Sequence, residues 1–385
     1  MRILVLSCGI YQPRFCGTRR VVSNSVRALR SLGHSVLGLR AVRLSVTAGI
    51  DYEEMEEIEV GGYRMRLQQH LDGAFGACKL TRRTWAGLCK PLRRTTVAAA
   101  LEDGLQLRVD SFTPEVILAE DIYISGAASR LAQARGIPLC YRVHHLDSIQ
   151  HAAQPLVERV IRRWESKLLS RIDALVAFTS VDMELLRARS TSPAYCAPLG
   201  VNEFTDEGME LPASVRPPFS LYVSSYIGEE EPWLRALAQV CPTCQVVVVG
   251  EGCSDFNSPP PNVLCLGATP DSILTRLYRE CAFAFFPLIL TPGQGFPTKL
   301  AEAFTNGVPI LMQRESAGLL PPRSEGVEFF EDLAELATIS QRYYLRPERM
   351  SSRRDPLFDL MDSGRALEGI LESLLAHHRR QGVQL

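Results

Sequence analysis

The chain has 385 residues, of which 46% are hydrophobic and 22% are charged, and its formal net charge at pH 7 is −1. This length exceeds one ordinary hydrophobic core, so we expect two domains of conventional size, and the near-zero net charge argues against a nucleic-acid partner. No apolar run reaches transmembrane length and the N-terminus lacks the organisation of a signal peptide, so we expect a cytoplasmic protein.

The first half of the chain opens with the pattern of a β-α-β unit. The apolar run at residues 1–7 predicts a buried strand, a loop ending near Gly17 follows, and the next apolar positions predict a helix that ends at Gly33. A second strand is predicted at 35–39. The loop is not a dinucleotide fingerprint, because its two glycines stand far apart and Arg40, not an acidic residue, ends the second strand.

Residues 77–101 combine apolar positions at helical spacing with a run of basic side chains. Such a profile is compatible with the surface of an anionic membrane, and a solvated crossover helix is the alternative. A peripheral membrane contact through 77–101 is therefore one of two interpretations of this segment.

Two adjacent histidines follow the strand predicted at 139–143. His144 and His145 come directly after this strand, and Asp147 lies close behind them. The carboxyl edge of a parallel sheet faces the ligand crevice in open α/β folds, so imidazole and carboxylate groups there are site candidates. A structural role is the alternative for either histidine.

The periodic pattern breaks at 197–202, and residues 205–218 are rich in glutamate and proline. We therefore predict an N-terminal domain over residues 1–200, a linker over 201–218 and a second domain over 219–360. Strands and helices alternate again after the linker, so two parallel β/α domains would meet at a cleft between their carboxyl edges.

The eleven cysteines of the chain mostly lie inside apolar runs, where cysteine behaves as a small hydrophobic residue. Only Cys241 and Cys244 have the spacing of metal ligands. The strand predicted at 245–249 separates Cys244 from Cys253 by about 16 Å, at about 3.3 Å per residue. We therefore expect neither disulfides nor a cysteine metal site.

The clearest signal in the second half is a buried strand that leads into a glycine loop and a helix. The apolar run 281–290 precedes the loop 291–298, and Lys299 lies in the first helical turn. Glycines let a backbone approach a ligand closely, and the free amides and dipole of a helix start favour negative charge. Glu302, one turn later, offers an acceptor for hydroxyl groups. A phosphate contact beside a hydroxyl contact suits a nucleotide-sugar, whereas glycines that only form a turn are the alternative.

Six segments are similar to those of a single enzyme family: RALRSLGHSV, IPLCYRVHHLDS, SRIDALVAFTSVDMELL, APLGVNEF, VVVVGEG and GFPTKLAEAFTNGVPIL. With them, nearly the whole chain resembles the GT-B glycosyltransferases, specifically the retaining group 1 or family 4 enzymes. The resemblance implies an α/β fold with two Rossmann-like β/α/β domains facing a central cleft. The C-terminal domain would hold the nucleotide-sugar, the N-terminal domain would supply the acceptor pocket, and residues 361–385 would return to the N-terminal domain as a helix.

The signature of this family is a pair of glutamates separated by seven residues. Glu302 occupies the second position, which the resemblance assigns to the ribose, and Gln294 occupies the first, as in related transferases with a GxGxxTK loop that lack that acid. A neutral amide still hydrogen-bonds sugar hydroxyls but gives up a charge-assisted bond. The basic residue that often braces the diphosphate is not evident after Ser224, which leaves more of that task to Lys299 and to Arg20 or its neighbour Arg19.

We therefore predict a retaining enzyme that moves a sugar from a nucleoside diphosphate sugar, with UDP-sugars favoured, to an acceptor hydroxyl. Lys299 and the amides of 293–295 would stabilise the leaving diphosphate, Glu302 would hold the ribose, and His144 or His145 would orient the donor sugar or acceptor. No paired-aspartate motif of the metal-dependent transferases is present, so no metal or cofactor is expected and the nucleotide-sugar is a co-substrate. The predicted donor-binding residues are Gly17, Ser224, Gly250, Gly267, Ala268, Gly293, Gln294, Gly295, Phe296, Thr298 and Leu300.

Two other functions stay open from the sequence. An inactive subunit that binds a nucleotide-sugar or a partner protein would account for Gln294 and the missing basic residue, and a sugar epimerase would use the same fold. The acceptor is equally open among a lipid-linked compound, a glycan, a natural product and a protein. A lipid acceptor would place the enzyme at the inner face of the membrane.

Overall fold

The structure of the protein is a computed structural model that describes residues 1–8, 17–42, 56–59, 108–201, 210–224, 227–320, 326–345 and 358–382. The basic segment 77–101 lies outside these residues. No helix of the described part is long and apolar enough to cross a membrane.

The first half of the chain forms a sheet of seven parallel strands with the order β3-β2-β1-β4-β5-β6-β7. The strands are β1 (Arg2–Cys8), β2 (Ser35–Val42), β3 (Glu56–Glu59), β4 (Val116–Ala119), β5 (Leu139–Arg142), β6 (Ala174–Ala177) and β7 (Ala194–Cys196). The helices are α1 (Gly17–Ser31), α2 (Ile122–Arg135), α3 (Asp147–Gln150), α4 (Pro155–Leu169) and α5 (Ser180–Arg189).

The second half forms a sheet of six parallel strands with the order β10-β9-β8-β11-β12-β13. The strands are β8 (Phe219–Val223), β9 (Gln245–Val249), β10 (Val263–Gly267), β11 (Phe283–Phe286), β12 (Ile310–Gln313) and β13 (Val327–Phe330). The helices are α6 (Glu231–Val240), α7 (Asp271–Glu280), α8 (Thr298–Thr305), α9 (Leu333–Leu345) and α10 (Leu360–Gly382). The prediction of an α/β fold with two parallel Rossmann-like units is confirmed.

Burial on both faces explains why the central strands read as continuous apolar runs. Every residue of β4, β5, β6 and β11 is buried. Side chains of alternate residues therefore enter two different cores, one on each face of the sheet, because helices cover both faces. The loops that follow the carboxyl ends of the strands form the site described below.

The last helix, α10, packs against α1 of the first sheet. Leu367, Leu371 and Leu374 share a core with Val22 and Val26 of α1. Gly364 permits the close crossing, because a Cβ built at this position would lie 2.8 Å from the Cβ of Ala28. The chain thus ends on the sheet with which it began.

Several elements were not predicted from the sequence, among them β12, β13, α9, β7 and α3. The strand β7 is only three residues long and one of its side chains is exposed, so it lacks the apolar run that predicts a buried strand. The helix α3 is one turn long, too short for any periodicity to show. It begins at Asp147, directly behind the two histidines, and so fixes the backbone of a predicted site segment.

Candidate active site

The glycine loop after β11 reaches across the cleft and contacts the first sheet. A Cβ at Gly295, whose φ is +76°, would overlap the carbonyl oxygen of His144. The backbone N–H of Leu146 donates to the carbonyl oxygen of Gly293 at 2.7 Å, and the N–H of Gly293 donates to Asp182 Oδ1 at 2.5 Å. The carboxyl edges of the two sheets therefore meet at this loop, and the predicted site residues of both halves come together.

These contacts correct one part of the sequence-based prediction. Of the amides of 293–295 that were expected to face the leaving diphosphate, the N–H of Gly293 donates to Asp182 and the N–H of Gln294 donates to the carbonyl oxygen of Thr291 at 3.0 Å. The hydroxyl of Thr179 caps α5, whereas the Asp182 carboxylate holds the loop. Two of the three amides thus fasten the loop in this conformation.

Lys299 lies in the first turn of α8, behind the glycine loop. Its Nζ is 5.0 Å from the centroid of the Tyr222 ring and 5.8 Å from that of Phe286, so two aromatic faces from neighbouring strands support the ammonium. Burial lowers the pKa of Lys299 to about 8, and the nearby carboxylate of Glu230 opposes this shift. The result is a partly desolvated cation at the positive end of a helix, which suits a diphosphate.

Glu302 is buried one turn after Lys299 and is paired across the cleft. Its Oε1 accepts from Nη1 of Arg20 in α1, and Nη2 of the same guanidinium pairs with Oδ1 of Asp271 in α7. The Tyr278 hydroxyl lies 3.5 Å from Glu302 Oε2 and donates to the carbonyl oxygen of Lys299 at 3.1 Å. Burial raises the pKa of Glu302, and the Arg20 guanidinium opposes the shift.

The predicted donor residues of the second sheet meet at the ends of β8, β9 and β10. Gly250 has a φ of +117°, and a Cβ there would overlap the carbonyl oxygen of Ser224. The N–H of Gly250 donates to the carbonyl oxygen of Gly267 at 2.8 Å, and the exposed Ala268 follows. These strand ends are packed so closely that only glycine fits at position 250.

His144 lies on the facing edge and is held by a carboxylate from β4's end. Its Nε2 is 3.0 Å from Oε2 of the buried Glu120, and its ring packs edge-on against Phe178 with centroids 5.2 Å apart. Burial lowers the pKa of His144, and Glu120 opposes the shift. The imidazole is therefore neutral at neutral pH, and its bond to the carboxylate assigns the proton to Nε2, which leaves Nδ1 as an acceptor.

Arg142 completes this buried ion cluster. Its Nε lies 3.8 Å from Glu120 Oε2, and its Nη1 donates to the hydroxyl of Ser25 at 2.7 Å. Burial by itself raises the pKa of Glu120, but Arg142 and His144 outweigh it, so the pKa lies below its usual value. Glu120 is ionised, and it orients both the arginine and the histidine.

The negative charge of Glu120 is expected to stabilise the folded protein. Glu120→Gln leaves the buried Arg142 without an anionic partner, and we expect unfolding to become easier by on the order of 3 kcal/mol. Urea unfolding followed by circular dichroism measures the change. Glu184→Gln is the matched control, because Glu184 is exposed and its pair with Arg187 contributes less than about 1 kcal/mol. Equal urea midpoints for the two variants would contradict the role given to Glu120.

The remaining predicted residues fall into two groups. His145 is about one-third exposed, with Nε2 3.3 Å from Oδ1 of the buried Asp147, and Gly17 is the first residue of α1. The side chains of Leu300 and Phe296 instead lie in the core, Leu300 fully buried and Phe296 stacked on Phe358 at 5.2 Å. Packing there removes both side chains from the cleft, so neither can contact a donor except through its backbone.

Several residues of the site were not singled out from the sequence. Glu120 follows the carboxyl end of β4, so the argument that identified His144 behind β5 would have found it too. Asp271 and Glu230 gave no local signal, because their partners Arg20 and Lys299 are distant in sequence. Among the residues that the structure describes, no group of three or more His, Cys, Asp or Glu side chains could hold a metal ion.

Residues 17–200 match the family model of the glycosyl transferase 4-like domain. No curated protein matches the sequence. Among solved structures, HepE from Anabaena, in complex with UDP and glucose, aligns over 96% of this chain and 99% of its own with a TM-score of 0.64 and 14% identity. This chain has the GT-B fold. The resemblance seen in the sequence is thereby confirmed.

Two further solved structures with the GT-B fold align over almost the full length of both chains. Sucrose-phosphate synthase from Thermosynechococcus elongatus has a TM-score of 0.63 and 15% identity, and covers 99% of this chain and 98% of its own. The trehalose-6-phosphate synthase OtsA has a TM-score of 0.64 and 13% identity, with coverage of 97% and 99%. At these identities the likeness concerns the fold, and the chemistry has to be argued from the residues of the site.

Proposed function

We propose that the protein is a retaining glycosyltransferase that moves a sugar from a UDP-sugar to an acceptor hydroxyl. One observation carries the proposal: Lys299 and Glu302 lie one helical turn apart at the carboxyl edge of the second sheet, opposite His144 on the first. The ammonium of Lys299 can bind a diphosphate, and the carboxylate of Glu302 can accept hydrogen bonds from ribose hydroxyls. At this spacing the two side chains match the two ends of a ribose diphosphate. The fold neighbour HepE was crystallised with UDP and glucose and with UDP-glucose, which supports the choice of donor.

The donor would bind with its diphosphate at Lys299 and the start of α8. Negative charge develops on the diphosphate as the sugar leaves, and a fixed cation at a helix N-terminus stabilises that charge without reorganisation. The ribose would lie at Glu302, and the base would lie near the strand ends that carry Ser224, Gly250 and Gly267. Gln294, which is exposed in the loop, would hydrogen-bond the sugar.

The facing edge would position the sugar and the acceptor. The neutral His144 imidazole, fixed by Glu120, presents an acceptor nitrogen, and the partly exposed His145 is anchored by Asp147. Glu120 is engaged with Arg142 and Glu302 with Arg20, so neither carboxylate is a free nucleophile. A front-face reaction, in which the acceptor attacks from the side of the departing diphosphate, therefore fits the proposed retention.

Incubation with a panel of nucleotide-sugars, with release of nucleoside diphosphate as the readout, tests the proposal. We expect slow hydrolysis of one UDP-sugar that becomes transfer when a hydroxyl acceptor is added, and a product whose anomeric configuration equals that of the donor. Thermal stabilisation by a donor without turnover would identify a binding subunit instead. A new sugar formed without any acceptor would identify an epimerase.

The proposal also covers the class of acceptor and the cellular location of the enzyme. A cytoplasmic enzyme of glycan, glycolipid or glycoconjugate synthesis fits a nucleotide-sugar donor, and a metal-independent reaction fits the use of Lys299 in place of a divalent cation. The basic segment 77–101 would bring a lipid-linked acceptor within reach. Flotation with anionic liposomes, comparing the wild type with a variant in which Arg82, Arg83, Arg93 and Arg94 are changed to glutamate, tests that contact.

A further inference from the structure

The ion pair between Arg20 and Glu302 joins the two halves of the cleft at the proposed ribose site. Arg20 belongs to α1, which packs on the first sheet, whereas Glu302 and Asp271 belong to helices of the second sheet. The guanidinium contacts one carboxylate with each of its Nη atoms. The planar fork of arginine suits such a double contact, which fixes its orientation as well as its charge.

The pair leaves part of Glu302 available to a ligand. Arg20 contacts Oε1, whereas among the described residues Oε2 has the Tyr278 hydroxyl at 3.5 Å as its hydrogen-bond partner. That hydroxyl makes its shorter bond, 3.1 Å, to the backbone of Lys299. A carboxylate accepts several hydrogen bonds, so Oε2 can accept from ribose hydroxyls while Oε1 remains on Arg20. The ion pair and a bound ribose are therefore compatible.

Burial makes this ion pair necessary for the proposed task of Glu302. Its side chain is only 6% exposed, and an ionised carboxylate in that position needs a cation beside it. Among the described residues that face it, Arg20 is that cation, since Asp271 is an acid, Tyr278 is neutral and the Lys299 ammonium lies over the Tyr222 ring. Without Arg20, burial and the negative charge of Asp271 both raise the pKa of Glu302 further.

We propose that Arg20, reaching across the cleft from α1, is a positioning residue that keeps Glu302 ionised and oriented as the ribose acceptor. The inference rests on the proposed function. Without the guanidinium, the buried Glu302 would take up a proton more readily and lose its charge-assisted bonds to the ribose.

Binding of UDP measured by isothermal titration calorimetry as a function of pH tests the role of Arg20. The wild type should lose affinity as the pH falls and Glu302 is protonated. In Arg20→Gln the loss should begin at higher pH, with affinity at neutral pH at least about tenfold weaker. Arg20→Lys should recover part of that loss, since it restores the charge without the fork. Titration of UDP itself is common to all variants and cancels in the comparison.

Asp271→Asn is the matched control, because it removes the other partner of Arg20. Loss of this negative charge lowers the pKa of Glu302, so the affinity for UDP should persist to lower pH, opposite to the effect of Arg20→Gln. An unchanged pH dependence in both Arg20 variants would overturn the inference and leave the proposed function intact. If the wild type binds no nucleotide at any pH, the proposed function fails together with the inference. Should Arg20→Gln not fold, Arg20→Lys and Asp271→Asn still carry the test with their opposite shifts.

Discussion

Lys299→Ala is expected to lower the rate of sugar transfer by about a thousandfold, with the fold retained. Removing one preorganised group that stabilises charge in a transition state costs about 10²–10³-fold in kcat, and Lys299 is a full charge at a helix start. The fold should persist, because burial disfavours the charged ammonium and its loss breaks no well-formed ion pair. Donor turnover and thermal unfolding of the purified variant measure the two effects separately.

Lys167→Ala is the matched control for this substitution, since Lys167 is exposed in the last turn of α4, which leads to the amino end of β6. It should turn over donor at the rate of the wild type. The wild-type kcat/KM should also fall as the pH rises through about 8, the value to which burial lowers the pKa of Lys299, because only the protonated amine neutralises the diphosphate. Near-normal turnover by Lys299→Ala would refute the assignment of Lys299.

Gly295→Ala is expected to lower kcat/KM by about a hundredfold, since displacements on the scale of 1 Å can have effects of that size. Its Cβ would overlap the carbonyl oxygen of His144, and backbone atoms cannot move aside as a flexible side chain would. The loop would be forced away from the first sheet, and Lys299 and His144 would no longer face one donor. Steady-state kinetics with the donor found in the nucleotide-sugar panel measures the effect.

Gly307→Ala separates this clash from backbone strain. Gly307 follows the end of α8, the helix that begins after the glycine loop. Its φ is +63°, and a Cβ there meets no atom within 4 Å. Both substitutions place alanine in the left-handed region, at a cost of about 1–2 kcal/mol, but only Gly295→Ala disturbs the contact between the two sheets. Stability should fall in both variants and kcat/KM only in Gly295→Ala. Equal kinetics for the two would show that the loop contact with His144 is not needed.

Much of the fold follows from patterns that the sequence carries locally. The run Gln245–Val249 is a strand in the structure as predicted, and the strand expected at 139–143 is found at Leu139–Arg142. Such elements are determined by their own apolar periodicity and by the requirement that parallel strands be covered on both faces. The short strand β7 has no such pattern, and its place is set by the neighbouring strand β6.

The site was predictable to the extent that its residues follow strand ends. His144 behind β5 and Lys299 behind β11 were found because the carboxyl edge of a parallel sheet is where ligands bind. The pairing of Arg20 with Glu302 was not predicted, since the two residues are 282 apart in sequence and their contact depends on how the two sheets face each other. The engagement of the Gly293 amide by Asp182 has the same origin.

A crystal structure of the protein with a bound UDP-sugar is the most direct test of the central claim, that the edge carrying Lys299 and Glu302 is a nucleotide-sugar site. The diphosphate should lie beside Lys299 and the start of α8, with the ribose hydroxyls on Glu302 and the sugar facing His144. A nucleotide bound elsewhere on the chain, or a diphosphate out of reach of Lys299, would contradict it.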